Sequence, residues 1–171
     1  MTLSSAENAV LDRDFLALSC ELEKRASVLC HRDFHAANLM IDANGRLRII
    51  DHQDARIGSV AYDLVSLLLD RVTEPPAADW LLEKRRLFLS NREELDLPAI
   101  GEDDFTYEFR LQTVQRCLKA IGTFSFQSAN RGKTYFLPYI KPMFEIVQRA
   151  LFNLEQFPDL TSIISEQIIK G

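Results

Sequence analysis

The stretch His31-Arg32-Asp33-Phe34-His35-Ala36-Ala37-Asn38, with Asp51 thirteen residues after its end, determines the fold prediction for this chain. A short apolar run at 28–30 precedes the stretch, and a second run at 39–41 follows it directly. A third run, at 47–50, ends at Asp51. Short apolar runs between polar residues are typical of β-strands. The polar residues of this stretch therefore stand at the ends of predicted strands.

A turn signal separates the second and third runs. Asn44-Gly45 lies between them, and Asn-Gly flanked by apolar runs is the strongest short-range signal for a β-hairpin, because both residues can adopt positive φ. Such a hairpin places Asn38 and Asp51 near its open ends, where both side chains can reach the same ion. An amide oxygen and a carboxylate are ligands that Mg²⁺ accepts, together with waters and phosphate oxygens.

Length and composition indicate a folded domain with an apolar core. The chain has 171 residues, 47% of them hydrophobic, and we expect one domain over 1–171. Its net charge of −5 gives no reason to expect nucleic acid or a membrane as a partner. The three cysteines lack metal-site spacing and are expected to be reduced thiols. With no signal peptide or spanning segment in view, a cytoplasmic location is expected.

Most of the remaining chain is predicted to be helical. Ser4-x-x-Glu7 predicts a capping box for a helix over roughly 5–25. The fold class is therefore α+β and mostly helical, with the loop and metal hairpin at 28–55 and a helical remainder at 60–170. Apolar spacing and breaker residues predict a loop at 52–60, helices over 61–71, 79–92, 103–127, 139–155 and 160–169, and a polar turn at 130–133.

The spacing of the first stretch resembles the H-R-D-x-x-x-x-N catalytic loop of kinases, which a metal-binding aspartate follows. Phosphoryl transfer needs a hydroxyl aimed in line at the γ-phosphate and cations that spread the developing charge. The resemblance implies Asp33 as the catalytic base and Asn38 with Asp51 as ligands of Mg²⁺, with ATP as co-substrate. Taken singly, Asp33 is explained as a turn residue or helix cap and Asn38 as a strand cap. Their combination favours a shared site.

Further stretches narrow this resemblance. Together with 30–40, the segments Ile49-Ile50-Asp51-His52-Gln53-Asp54-Ala55 and Tyr62-Asp63-Leu64-Val65-Ser66-Leu67-Leu68 resemble the aminoglycoside phosphotransferase-like kinases. The likeness is greatest to bacterial cell-wall amino-sugar kinases, which phosphorylate N-acetylmuramate and N-acetylglucosamine at the anomeric hydroxyl. Residues 118–124 also resemble a Leu-Lys-x-Leu-Gly-x-Phe segment of that branch. The resemblance implies a small-molecule hydroxyl substrate and a role in cell-wall recycling.

Residues around the three candidates are expected to support the site. We expect His31 to hold the loop through backbone carbonyls. His35 and His52 flank the acids and either contact substrate or phosphate or have a structural role. Asp54 is expected to position the metal or the loop, or to be a solvated loop carboxylate. The resemblance implies that Asp63 braces the loop, and it marks His52 as a departure, because relatives often have Phe there.

Four basic residues could bind substrate or phosphate, but a solvated surface charge is the simpler explanation of each. This group comprises Arg32, Arg56, Arg131 and Lys133.

The chain lacks the sequence features of a nucleotide-covering lobe. Kinases of this superfamily hold ATP under an N-terminal β lobe with a glycine-rich loop and a strand-borne lysine. None of the six glycines forms G-x-G-x-x-G, and the thirty residues before the loop are mostly helical in pattern. We therefore expect the C-terminal lobe of a protein-kinase-like fold, without its N-terminal β lobe and inactive alone. The missing lobe, or self-association through the exposed lobe boundary, is the expected protein partner.

Two other functions stay open. A degenerate lobe could act as a non-catalytic binding module for a sugar or a protein, although the intact Asp33, Asn38 and Asp51 argue against degeneracy. A kinase could instead act on an aminoglycoside, choline or homoserine-type alcohol. The acidic residues between 102 and 108 could accept a polycation, but an acidic helix N-terminus explains them more simply.

Overall fold

A computed structural model describes residues 4–170, apart from the side chains of residues 167, 169 and 170. Helices dominate this part of the chain, as the sequence predicts. Two one-turn 3₁₀ helices, Ala36–Asn38 and Thr134–Phe136, interrupt the loops. In chain order the other elements are α1 (Ser5–Lys24), β1 (Ala26–Cys30), β2 (Leu39–Ile41), β3 (Leu47–Ile49), β4 (Arg56–Ser59), α2 (Tyr62–Leu69), α3 (Ala78–Glu94), α4 (Glu102–Arg131), α5 (Leu137–Phe152) and α6 (Pro158–Lys170).

Helix α1 begins with the capping box that the sequence predicts. The Ser4 hydroxyl accepts the Glu7 N–H at 3.2 Å, and the Glu7 carboxylate accepts the Ser4 N–H at 2.7 Å. These two bonds satisfy donors that have no partner inside the helix, so the prediction is confirmed. Farther along α1, the buried Asp14 accepts the backbone N–H of Leu160 at 3.2 Å. This bond fixes α1 against the first turn of α6.

The strands form two antiparallel pairs. Strand β1 pairs with β4, and β2 pairs with β3. The predicted loop over 52–60 is therefore wrong at Arg56–Ser59, which is strand β4. Its partner lies far away in the sequence, and a local pattern cannot show such pairing. Gly58 permits the close approach, since a Cβ at this position would lie 3.0 Å from the Cys30 sulfur.

The connection between β2 and β3 differs from the expected turn. Only Gly45 has a positive φ, of 75°, so the Asn-Gly pair does not supply two left-handed residues. The Asp42 carboxylate instead organises the turn by accepting the backbone N–H groups of Asn44 and Arg46, both at 2.9 Å. The Arg46 amide, then the Arg48 guanidinium and the Asn44 amide, hold the pKa of Asp42 below its ordinary value. This is an Asx-type turn followed by a left-handed glycine.

Helix α4 forms the centre of the helical part and packs against α1, α2, α3 and α5. It ends later than predicted, at Arg131, where Gly132 with φ 66° forms a left-handed cap. Burying a large apolar side chain stabilises the fold by about 1.5–3 kcal/mol. Fully buried side chains from several helices share one core, among them Val65, Leu69, Phe105, Leu111, Val114, Met143, Val147 and Leu160.

No helix among residues 4–170 is long and apolar enough to cross a membrane.

Candidate active site

A carboxylate in the first turn of α2 holds the backbone of the 31–38 loop. Asp63 accepts the backbone N–H of His31 at 2.7 Å and that of Arg32 at 2.9 Å, one on each carboxylate oxygen. Hydrogen bonds to an ionised acceptor are about twice as strong as neutral ones. Arg32 has a φ of 72°, and this left-handed conformation costs a non-glycine residue on the order of 1–3 kcal/mol. The two bonds to Asp63 help to retain that conformation.

The imidazole of His31 joins the loop to the end of strand β3. Its Nε2 lies 2.8 Å from the backbone oxygen of Ile50. Because a carbonyl only accepts, Nε2 must carry a proton, and Nδ1 is then free to accept the Asp33 N–H at 3.3 Å. This ring therefore connects Asp33 to the residue immediately before Asp51.

Asn38 binds Asp33 through its side-chain nitrogen. Nδ2 donates to the Asp33 backbone oxygen at 2.9 Å and to its carboxylate at 3.2 Å. Both partners are acceptors, so the amide nitrogen rather than the amide oxygen faces them. The Asn38 carbonyl also accepts the Ile50 N–H at 3.1 Å. Asn38 and Asp51 thus lie beside the adjoining ends of β2 and β3.

Asp51 faces a polar cavity of about 350 Å³. It has a φ of 67°, and the Gln53 side chain donates a hydrogen bond to one of its carboxylate oxygens. The cavity combines carboxylates, which suit a cation, with basic groups, which suit phosphate oxygens. Asn38 is not among its lining residues. Those residues are Arg32, Asp33, Asp51, Gln53, Asp54, Arg56 and Lys119.

The remaining predicted residues differ in how close they lie to Asp33. The Nε2 atom of His35 lies 3.4 Å from the Asp33 carboxylate, and its buried Nδ1 has no hydrogen-bond partner. His52 is exposed and outside the cavity lining. Arg131 and Lys133 lie around the C-terminal end of α4, twelve or more residues beyond Lys119, and neither lines the cavity. The structure therefore brings His35 to the site and leaves these others apart.

Arg116 of α4 is a contact of Asp33 that sequence reasoning missed. Its Nη2 lies 3.6 Å from the Asp33 carboxylate and 2.9 Å from the carboxylate of Asp70. The same guanidinium donates to the Ser66 hydroxyl at 3.2–3.3 Å. Arg116 is only 7% exposed. The sequence signal for this residue is a charged side chain within the apolar pattern of α4. Its partners could not be predicted from that signal, because they lie 46 or more positions away in the chain.

Two of the acidic residues between 102 and 108 are bound within the protein. Glu108 is buried and accepts the Ser59 hydroxyl at 2.6 Å and the Ala61 N–H at 3.4 Å. These bonds fix the junction between β4 and α2. Glu102 pairs with Arg86 at 2.8 Å. The suggested polycation site at 102–108 therefore loses its Glu108, which serves the fold instead.

The thiols and the metal-binding groups limit the chemistry of the described residues. All three cysteines are free, and burial raises the pKa of Cys30 to about 11 and that of Cys117 to about 12. Neither is an activated nucleophile. Among residues 4–170 no three His, Cys, Asp or Glu side chains cluster as a metal site. An amide oxygen, as on Asn38, and a carboxylate, as on Asp51, are group types that suit Mg²⁺, which takes few protein ligands when phosphates complete its shell.

Comparison with known proteins identifies the family. Three relatives carry the name N-acetylmuramate/N-acetylglucosamine kinase. The one from Neisseria meningitidis is 31% identical over 142 residues, which are 82% of this chain and 42% of that protein. The one from Pseudomonas putida is 27% identical over 170 residues, 97% of this chain and 49% of that protein. The one from Caulobacter vibrioides is 31% identical over 124 residues, 69% of this chain and 32% of that protein.

The chain thus spans about half, or less, of the length of the curated relatives it matches. A family model described as phosphotransferase enzyme family matches residues 4–98, which include the whole 31–38 loop, Asp51 and Asp63. This match covers more than half of the chain, and it contains the candidate site apart from Arg116 and Lys119 of α4. The chain therefore belongs to the phosphotransferase enzyme family.

Proposed function

We propose that this chain supplies the catalytic-loop lobe of an ATP- and Mg²⁺-dependent kinase that phosphorylates a hydroxyl of an amino sugar. One observation carries the proposal: Asp33 is held from three sides, by His31, Asn38 and Arg116, at the wall of a polar cavity that also presents Asp51. The names of the relatives support N-acetylmuramate or N-acetylglucosamine as the substrate.

In this proposal Asp33 accepts or orients the proton of the attacking hydroxyl. Its carboxylate lies at the cavity surface, where a substrate can reach it, and the Asn38 amide and Arg116 restrict its orientation. The Asn38 amide oxygen and Asp51 hold Mg²⁺, which when bound neutralises charge on the transferred phosphoryl group. Lys119, Arg32 and Arg56 are the cavity cations available to phosphate or substrate oxygens.

Arg116 acts in this scheme as a positioning residue. Its guanidinium is anchored by the nearly buried Asp70 and by Ser66, and the farther contact, at 3.6 Å, goes to Asp33. Because Asp70 neutralises most of the Arg116 charge, the guanidinium can direct the Asp33 carboxylate without forming a close pair with it. A carboxylate locked in a tight ion pair would be a poorer proton acceptor.

A second lobe completes the nucleotide site in this proposal. Large apolar side chains are exposed on both strand pairs, with Leu29 at 71% and its cross-strand partner Ile57 at 64%. Exposed apolar surface of this kind marks an interaction site. The chain also has no glycine-rich phosphate loop. We therefore expect weak ATP binding and negligible turnover by this chain alone.

Calorimetric titration with Mg²⁺ and ATP, combined with a phosphoryl-transfer assay, tests the proposal. N-acetylmuramate, N-acetylglucosamine, an aminoglycoside and choline are compared as acceptors, with Asp33→Asn as the matched control. We expect binding of an amino sugar in preference to the others, with turnover near that of Asp33→Asn. Robust turnover by the isolated chain would overturn the need for a second lobe. Preference for the aminoglycoside or choline would overturn the substrate assignment.

Size-exclusion chromatography at several concentrations tests the exposed lobe boundary separately. The apolar strand face is expected to cause concentration-dependent self-association, and Leu29→Lys with Ile57→Lys is expected to reduce it. A monomer at every concentration would count against an interaction surface at these strands.

A further inference from the structure

A second cavity lies between the C-terminal end of α2 and helices α3, α4 and α5. Its volume is about 180 Å³, and it shares no lining residue with the polar cavity at Asp33. The nearest α4 positions of the two linings, Thr113 and Lys119, are separated by six residues, or about 9 Å along the helix axis. Apolar side chains of Leu81, Phe109 and Ile146 form much of its wall. This cavity is therefore distinct from the candidate active site.

Three arginines from three helices line this cavity. They are Arg85 of α3, Arg110 of α4 and Arg149 of α5, and no Asp or Glu is among the lining residues. Three cations without an acid in one lining are unexpected in a chain whose net charge is −5. An apolar cavity with converging guanidinium groups has the composition of a site for an anion that carries an apolar part.

The Arg85 guanidinium has little compensation from the protein. It lies 5.3 Å from the centre of the Phe109 ring, and its buried Nε has no hydrogen-bond partner. Burial, followed by repulsion from Arg110, lowers the pKa of Arg85 below its ordinary value. The acid that acts in the opposite direction is Glu102, and its carboxylate is bound to Arg86 Nε at 2.8 Å. An anion in the cavity would supply the counter-charge that Arg85 lacks.

Other polar groups of the lining already have partners within the protein. The Thr113 hydroxyl donates to the Phe109 carbonyl at 2.7 Å, and the Asn153 amide donates to the Arg149 carbonyl at 3.0 Å. Arg149 donates one bond, to the Pro76 carbonyl at 3.2 Å, and keeps further N–H groups. The guanidinium groups are therefore the principal polar contacts that the cavity offers.

The cavity size limits the ligand. A cavity of about 150 Å³ holds benzene, and sites for drug-sized ligands begin at about 300 Å³. We propose that this cavity binds a small organic monocarboxylate whose apolar body is about the size of a benzene ring. Its carboxylate meets Arg85 and Arg110, and its apolar body packs against Leu81, Phe109 and Ile146. This site is independent of the phosphoryl-transfer chemistry proposed for Asp33.

Titration of the 171-residue chain with benzoate tests this proposal, with binding followed by NMR at low ionic strength. Benzamide is the neutral comparator of the same shape. We expect saturable benzoate binding, at least tenfold (about 1.4 kcal/mol) tighter than that of benzamide. Added salt should weaken benzoate binding, because screening weakens attraction between charges that solvent can reach. No saturable binding, or equal binding of the two compounds, would overturn the proposal.

Variants assign the binding to this cavity. Arg110→Gln and Arg85→Gln should each weaken benzoate binding at least tenfold, and Arg110→Gln serves alone if loss of the Phe109 contact unfolds the second variant. The matched control is Lys84→Gln, which neighbours Arg85 but pairs with Glu83 outside the lining. It should leave the affinity for benzoate unchanged, as should Asp33→Asn. Equal weakening by Lys84→Gln would show that net charge alone causes the effect, and loss of binding in Asp33→Asn would place benzoate in the other cavity. Either result would refute the assignment.

Discussion

Replacing Asp63 by alanine removes the clamp between helix α2 and the 31–38 loop. Two hydrogen bonds are lost, from the His31 N–H at 2.7 Å and the Arg32 N–H at 2.9 Å. Bonds to a charged group contribute about 1.5–3 kcal/mol each, so the variant should lose at least about 3 kcal/mol of unfolding free energy. With a urea m-value of about 2 kcal/mol/M, the unfolding midpoint should fall by about 1.5 M.

The control is Asp79→Ala, because Asp79 holds the same position in α3 that Asp63 holds in α2. Both are acids in the first helical turn, the second residue after the N-cap, and Asp79 is exposed. Loss of the helix-dipole interaction alone should cost Asp79→Ala about 0.3–1 kcal/mol. Urea unfolding of both variants, with amide exchange at His31 and Arg32, measures the difference. Equal destabilisation by the two substitutions would refute a clamp at Asp63.

Three further predictions concern buried polar groups and thiols. Arg116→Met leaves Asp70 buried without a counter-charge and should cost about 3–5 kcal/mol, whereas Arg116→Met with Asp70→Leu should cost less than the sum of the single changes. Strict additivity in urea unfolding would contradict this coupling. A thiol reagent at pH 8 should modify Cys20 quickly and Cys30 and Cys117 only on unfolding. Burial raises the pKa of Cys30 from 9.0 to about 11 and that of Cys117 from 9.0 to about 12. The contribution of these thiols to the free energy of unfolding should therefore be constant below pH 9.0 and be lost as the pH rises through the two raised values. An unfolding free energy that does not change with alkaline pH would contradict this.

Local signals were enough to predict most helices. Ser4 and Glu7 predicted the start of α1 because a capping box is set by residues three apart. Strand β4 escaped prediction because Arg56–Ser59 contains one large apolar residue and depends on pairing with β1. The turn between β2 and β3 is organised by the Asp42 carboxylate rather than by two residues with positive φ. These differences arise where non-local contacts or side-chain hydrogen bonds override local propensity.

The same distinction between local signals and non-local contacts applies to the candidate site. The spacing of Asp33, Asn38 and Asp51 is visible in the sequence because Asn38 and Asp51 adjoin the ends of one antiparallel pair. The role of Arg116 could not be predicted in this way, since the apolar pattern of a helix does not indicate that its guanidinium reaches the 31–38 loop. The arginines of the second cavity come from three helices and converge only through tertiary packing.

Paramagnetic broadening by Mn²⁺ in the presence of ATP tests the central claim that Asn38 and Asp51 hold a divalent metal beside Asp33. Manganese accepts the same oxygen ligands as magnesium and broadens the NMR signals of nearby nuclei. We expect selective broadening of the Asn38 side-chain amide and of residues adjoining Asp51, and its loss in Asp51→Asn. Broadening elsewhere in the chain, or unchanged broadening in Asp51→Asn, would contradict the proposed metal and phosphate site.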